Sequence, residues 1–476
     1  MVVLASAGAA SAQSIELSDC RISAGPGSPS MKARCGSLLR PLDPAGEMPG
    51  EIELKIAVVP ALNLTPEPDP FVPIAGGPGQ STVRFYSSYS ASFEEVRRNR
   101  DIVLVDQRGT GESSAMDCPI DDSVAQGQYS TELTLEYTRA CLEQLPVDPR
   151  FFTTSVAVTD LEAVREALGY PSFNLYGISY GTRVAQHFAR RYPGSTRSIV
   201  LDGVVPPQIA LGPEIATESQ KAVDTILARC AADTACNERF PDIEEKFRKI
   251  VADLDSSPVT IGVPHPDTGR LESTTFGRGE FAIAVRLLAY HPSSIALLPL
   301  LVNEAATGNF VPLGSQYMMT TTAISDAISL GMHNTIMCTE DVPFFDKTSI
   351  DYDSIAASYM GVFQLSALEA ICSVWPEGPI DAEFKVPLMT ELPVLLLSGD
   401  ADPITPPRYA EMAAVDLGNA RHLIGKHQGH GQMGVGCSRR LVAAFVDAAD
   451  PAVIEAECLE RSFVMPFFLD FSGPLP

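Results

Sequence analysis

A serine, an aspartate and a histidine, far apart in the chain, carry its strongest chemical signal. Ser179 sits in Gly177-Ile178-Ser179-Tyr180-Gly181, after an apolar run at 173–176 and before a helix-like stretch at 183–191. A strand that turns sharply into a helix lifts a serine hydroxyl above the sheet edge. The helix N-terminus beneath it favours developing negative charge. Such a serine needs a histidine to take its proton, and that histidine needs a carboxylate to orient it. Both follow in chain order. Asp402 lies just past the apolar run 392–399, and His430 lies between Gly429 and Gly431. Asp400 is the second choice of acid, and His427 and His422 are competing histidines. Read blandly, Asp402 is a turn cap before Pro403 and His430 a solvated loop residue.

Acyl chemistry through a serine also needs two N–H donors for the tetrahedral oxyanion. Tyr180, next after the serine, offers one. Gly76-Gly77-Pro78-Gly79, after a strand-like stretch, offers the other, with Gly77 preferred and Gly76 possible. Pro78 has no N–H to give. Alone, this glycine run is only a tight turn; its place upstream of Ser179 gives it the second meaning.

These groups need a scaffold that brings distant loops to one edge. Residues 101–105 and 197–205 read as buried strands, and 51–60 alternates like an edge strand. Residues 160–169 read as a helix with an Asp160 N-cap and a Gly169 stop. Alternating strands and helices imply an α/β fold with a mainly parallel sheet covered on both faces. From 206 to 387 the pattern becomes helix after helix, as for an inserted, mostly helical cap. The expected division is a signal remnant at 1–12, an N-terminal extension at 13–50, core at 51–205, cap at 206–387, and returning core at 388–476.

Five segments together resemble a known family: Ala75-Gly-Gly-Pro-Gly79, Val105-Asp-Gln-Arg-Gly-Thr-Gly-Glu-Ser113, the Ser179 pentapeptide, Gly399-Asp-Ala-Asp-Pro-Ile-Thr-Pro406 and Gly429-His-Gly431. In this order they resemble the proline iminopeptidase and tripeptidyl aminopeptidase family of α/β-hydrolase serine exopeptidases. Ala75 stands where proline iminopeptidases usually carry histidine, which is closer to the tripeptidyl branch. The resemblance implies an α/β-hydrolase fold, a peptide substrate and no cofactor or metal. It also implies an acidic residue after a cysteine that contacts the substrate amine: Glu340 first, Asp341 second, in Cys338-Thr-Glu340-Asp341. The bland reading of that pair is a solvated acidic loop. Asp106-Gln107-Arg108 reads as a charged pair bracing the active-site loops, and Trp375 as core. An esterase or lipase on the same scaffold is the alternative activity; a non-catalytic binding protein is a further one.

Lys and Arg number 34 against 59 Asp and Glu, a net charge of −25. Such a surface repels nucleic acid and anionic membranes. No run is long and apolar enough to span a membrane. Residues 1–12 are small and apolar and end in Ala10-Ser11-Ala12, like an export signal without its basic start. Ten cysteines fall as neighbours: Cys20/Cys35, Cys118/Cys141, Cys230/Cys236, Cys338/Cys372 and Cys437/Cys458. An even count with local spacing suits disulfides in the periplasm or outside the cell. No Cys-x-x-Cys pair points to a metal.

Overall fold

The computed structural model describes residues 14–118, 130–461 and 464–473. The expected signal remnant at 1–12 lies outside them. The strands are β1 (Ser18–Ser23), β2 (Ser30–Pro41), β3 (Glu51–Val59), β4 (Phe71–Ile74), β5 (Ile102–Val105), β6 (Phe173–Ile178), β7 (Thr196–Asp202), β8 (Val259–Pro264), β9 (Leu271–Phe276), β10 (Val394–Gly399) and β11 (Ala420–Gly425). Nine of them form one sheet in the order β1-β2-β3-β5-β4-β6-β7-β10-β11. From β5 to β11 every neighbour is parallel. β1, β2 and β3 join antiparallel at one side.

The central strands are dominated by apolar residues, and β4, β5 and β10 are buried at every position. That pattern belongs to a sheet covered on both faces. One face packs the helices Thr154–Leu168 and Tyr180–Arg191, through Leu161, Val164, Val184 and Phe188. The other packs Thr82–Tyr89 and Ser438–Ala448, through Phe85, Tyr86, Val442 and Phe445.

Between β7 and β10 the chain builds a separate apolar core, with Val223, Phe247, Phe281, Leu298 and Tyr317 among its members. It is mostly helical, as the sequence implies, but the β8–β9 hairpin belongs to it too. One part of this insertion returns to the main domain. Met332 and Ile336, on helix Leu330–Ile336, pack into the sheet's own core.

Three sequence expectations are corrected. The N-terminal extension expected at 13–50 is part of the core over its described residues: 14–50 carry β1 and β2 and lengthen the sheet. β3 is therefore an interior strand, paired on both sides. Asp160 is no N-cap, because the helix begins at Thr154. The Asp160 carboxylate is buried mid-helix and accepts from Arg108 at 2.6 and 2.9 Å and from Arg40 at 3.1 Å. The Gly169 stop is as read, with φ +77°. None of the helices among the described residues is long and apolar enough to cross a membrane.

Candidate active site

The parallel strands deliver the singled-out residues to one edge. The glycine loop follows β4, Ser179 follows β6, Asp402 follows β10 and His430 follows β11. Carboxyl ends of parallel strands are where open α/β sheets collect their functional loops.

Ser179 is the N-cap of helix Tyr180–Arg191, with φ 56° and ψ −127°. A positive φ on a non-glycine residue is strained. Close packing on both sides holds it. A Cβ on Gly177 would lie 2.3 Å from Gly181 O, and one on Gly181 would lie 2.2 Å from Ile74 O. The two glycines thus let the nucleophile helix cross over β4 and β6. Ser179 N donates to Asp202 O at 2.9 Å, tying the turn to the end of β7. Among the described residues the Ser179 hydroxyl makes no hydrogen bond; in unliganded hydrolase sites such contacts commonly tighten only with substrate.

His430 is buried, and its Nδ1 lies 2.8 Å from Asp402 Oδ2. Asp402 is fixed in turn: Oδ1 accepts from the Ile404 and Thr405 amides at 2.9 Å, and Oδ2 from Thr405 Oγ1 at 2.7 Å. The turn-cap reading and the histidine partnership therefore hold in the same side chain. Burial disfavours the His430 cation, but the Asp402 carboxylate outweighs it, and the pKa stands above the usual 6.5. The imidazole packs against the end of β7, where a Cβ on Gly203 would lie 2.9 Å from His430 Cε1. A Cβ on Gly431, next after the histidine, would lie 3.0 Å from Cδ1 of Ile178, the residue directly before Ser179. The competitors are elsewhere. Asp400 accepts from His427 N, and His422 Nε2 meets Ser398 Oγ at 2.9 Å.

The glycine loop lies against the serine. A Cβ on Gly76 would lie 2.9 Å from Ser179 Cβ, and Gly77 has φ +104°. Tyr180 is the first residue of its helix, so its N–H has no acceptor within that helix. Asp106 holds the chain just beyond the loop, accepting from Ser81 Oγ at 2.7 Å and Val83 N at 3.0 Å. Arg108 donates to Leu42 O, Phe151 O and Asp160. Asp106 and Arg108 both brace, but with separate partners rather than as a pair.

The acidic pair is not arranged as expected for an open amine site. Glu340 and Asp341 are both 0% exposed. Asp341 receives Arg183 through Nη2 at 2.7 Å and Nη1 at 2.9 Å, and the Leu211 amide at 2.8 Å. Glu340 accepts from Thr154 N at 2.6 Å and Thr154 Oγ1 at 2.8 Å, while Arg183 Nη1 is 3.7 Å away. Thr154 Oγ1 also meets Tyr180 Oη at 2.7 Å. Burial pushes the Glu340 carboxyl up to about 7 despite Arg183. Burial also raises Asp341, but the paired arginine outweighs it and the net shift is downward. Asp341 docks the nucleophile helix through Arg183, and Glu340 holds the start of the neighbouring helix at Thr154, whose hydroxyl meets Tyr180. The disulfide Cys338–Cys372 ties down the segment that bears them.

Asp202 escaped the sequence reading. Its carboxylate is buried and accepts from Tyr176 Oη at 2.8 Å and from the Gln432 and Met433 amides at 2.7 to 2.9 Å. It joins the histidine loop to the serine turn, and burial pushes its pKa up to about 6. The only local signal is an aspartate closing the buried run Ser198-Ile-Val-Leu-Asp202. Trp375 is buried beside Cys118, Cys141 and Cys338, as core, with its indole N–H on Thr335 Oγ1 at 3.0 Å.

A family profile described as alpha/beta hydrolase fold matches residues 69–435. A putative hydrolase, YuaR, from Escherichia coli is 31% identical over 198 residues, covering 39% of this chain and 40% of the relative. A tripeptidyl aminopeptidase from Streptomyces coelicolor is 32% identical over 148 residues, covering 28% of this chain and 27% of the relative. The chain thus spans well under half of these two relatives. The serine protease Hip1 of Mycobacterium tuberculosis is 26% identical over 454 residues, covering 86% of this chain and 82% of the relative.

Proposed function

Since the chain belongs to the alpha/beta hydrolase fold family, we propose that it is an exported serine peptidase that cleaves peptides near a free N-terminus. The carrying observation is the Asp402–His430 pair, closed at 2.8 Å beside the strained turn at Ser179. Relatives named as a tripeptidyl aminopeptidase and a serine protease support the peptidase class.

In this mechanism His430 takes the Ser179 proton as Oγ attacks the scissile carbonyl. The tetrahedral oxyanion accepts hydrogen bonds from the Tyr180 and Gly77 amides. Asp402 stabilises the imidazolium. His430 then protonates the leaving amine, which departs with the C-terminal part of the peptide. Water, deprotonated by the same histidine, releases the acyl group from Ser179. The chain's own groups suffice for each step.

For Glu340 and Asp341 the geometry favours a brace for the nucleophile helix over a direct amine contact. Export is supported by five disulfides, which pair all ten cysteines as sequence neighbours.

The test is a panel of chromogenic peptides, free and N-acetylated, beside small neutral esters. A serine aminopeptidase cleaves the free peptides and loses most activity on the acetylated ones. Equal cleavage of both removes the aminopeptidase reading and leaves an endopeptidase. Cleavage of esters alone leaves an esterase.

A further inference from the structure

Arg286 lies in the last turn of the cap helix Arg278–Leu288, and its polar contacts are all neutral. Nη1 donates to Gln364 Oε1 at 3.2 Å, and Nη2 reaches Tyr290 Oη at a long 3.4 Å. Nε is buried with no hydrogen-bond partner. Among the described residues no carboxylate pairs with it. The other deeply placed arginines differ: Arg100 holds Asp69, Arg108 holds Asp160 and Arg183 holds Asp341. A half-buried cation without an anion keeps its desolvation cost uncompensated. The half-buried Arg190 and Arg229 also have no carboxylate partner, bonding backbone carbonyls and lying over the Phe467 ring respectively.

What sets Arg286 apart is its position. Just beyond the helix, Tyr290 O accepts from His430 N at 2.8 Å, and the two rings meet edge-on at 5.1 Å. A Cβ on Gly429 would lie 2.4 Å from Tyr290 O. The Arg286 guanidinium lies against this same tyrosine, through the Nη2–Tyr290 Oη contact. Across the site, His333 Nδ1 lies 3.3 Å from Pro78 O in the glycine loop. On both His430 and His333, burial acts first against the cation, and the Arg286 charge adds to it; at His430 Asp402 outweighs both. The guanidinium thus stands within electrostatic reach of both loops that flank Ser179.

We propose that Arg286 is a carboxylate-binding subsite of the cleft, holding an anionic group of the substrate near the scissile bond. A guanidinium fork matches a carboxylate in two parallel hydrogen bonds. For peptides, where this rests on the peptidase reading above, the carboxylate is either the C-terminus of a short substrate or an Asp or Glu side chain. The first source makes the enzyme a trimmer of small peptides; the second makes it selective for acidic sequence.

Two measurements on the full chain test this. The first compares kcat/KM for a free-amine peptide ending in a carboxylate, its C-terminal amide, and the amide with Asp or Asn beside the cleaved bond. The wild-type enzyme should prefer one carboxylate over its neutral match by about ten- to a hundredfold. The preferred arm identifies the source. In Arg286→Gln that ratio should fall to near one, and Arg286→Lys should keep part of it. Each ratio is internal to one variant, so a smaller folded fraction does not alter it.

The second measures inhibition of neutral-ester hydrolysis by N-acetylalanine and by its amide. The acid should inhibit the wild type more strongly, and Arg286→Gln should not distinguish the two. Selective inhibition by the acid in an enzyme that cuts no peptide would sink the peptidase reading and keep the subsite. The subsite is overturned if the wild type shows no preference in any arm, or if Arg286→Gln retains it.

Discussion

Burial alone would keep His430 neutral, yet Asp402 at 2.8 Å carries its pKa above 6.5. Only the neutral imidazole accepts a proton from Ser179, so kcat/KM should fall as the pH drops through a value above 6.5. Asp402→Asn should move that limb to lower pH and cut kcat by roughly 10⁴. A pH–rate profile checks this; a limb that stays put in the variant would refute the partnership. Glu340 is the second titrating residue with a consequence. Its carboxyl is raised from 4.5 to about 7, so between those values the folded state binds more protons than the unfolded one. Stability from this group therefore declines as pH rises through that window, and Glu340→Gln should flatten the slope. As a brace, Glu340→Gln should slow free and acetylated peptides by the same factor. A loss confined to free-amine peptides would restore the amine contact read from sequence. The turn at Ser179 and the Asp402–His430 contact were legible because each of these residues sits in a local pattern of strand, turn and glycine. Asp202 and Thr405 were not, because their partners lie across the sheet or the loop. The burial of the acidic pair, read as an amine contact or blandly as a solvated loop, was not legible because nothing near it in sequence announces Arg183.

Elements meet at this site with little room. The nucleophile helix reaches β4 so closely that a Cβ on Gly181 would lie 2.2 Å from Ile74 O. That neighbour is backbone and cannot swing away. Gly181→Ala should destabilise by about 1–3 kcal/mol or more and displace Tyr180 N–H from its proposed donor position. Urea unfolding with kcat on the same sample checks both; wild-type stability and turnover would contradict the close approach. Strand identities were readable in β5, β6, β7 and β10, where buried apolar runs end at turn residues. Helix starts were less so. Asp160 before Leu161-Glu162-Ala163-Val164 imitates an N-cap, but the helix starts six residues earlier, through Thr154 and Val156. Burial against the sheet overrides the weak helix propensity of those residues. β3 looked like an edge because its exposed alternation is real near Glu51 and Glu53. What covers its flank, β2, lies in a segment rich in Gly, Ser and Pro.

Across the whole molecule, the cap and the sheet are joined at the site rather than only by their linkers. Tyr290 O holds the histidine loop, and Ser329 N donates to Gly79 O at 2.9 Å in the glycine loop. Cap position and the geometry of the candidate site are therefore coupled. Five local disulfides secure the fold, and Cys437–Cys458 closes a 21-residue separation just after His430. A loop of that size stabilises by roughly 3 kcal/mol in the chain-entropy description. Thiol titration of unfolded, unreduced protein should find almost no free thiols; mostly free cysteines would contradict an oxidising compartment. The pairing was readable because every partner is the nearest cysteine in sequence. The hairpin β8–β9 inside the cap was not, since a short strand pair among helices leaves only a weak alternation.

The central claim is that Ser179 is the nucleophile. A fluorophosphonate probe, which phosphonylates activated serines, tests it most directly. Peptide mass mapping should place the adduct on Ser179 with parallel loss of hydrolysis. Ser179→Ala, folded by circular dichroism, should take up no probe and lose about 10⁶ in kcat. An adduct on another residue, or turnover by the folded Ser179→Ala protein, would contradict the proposed mechanism.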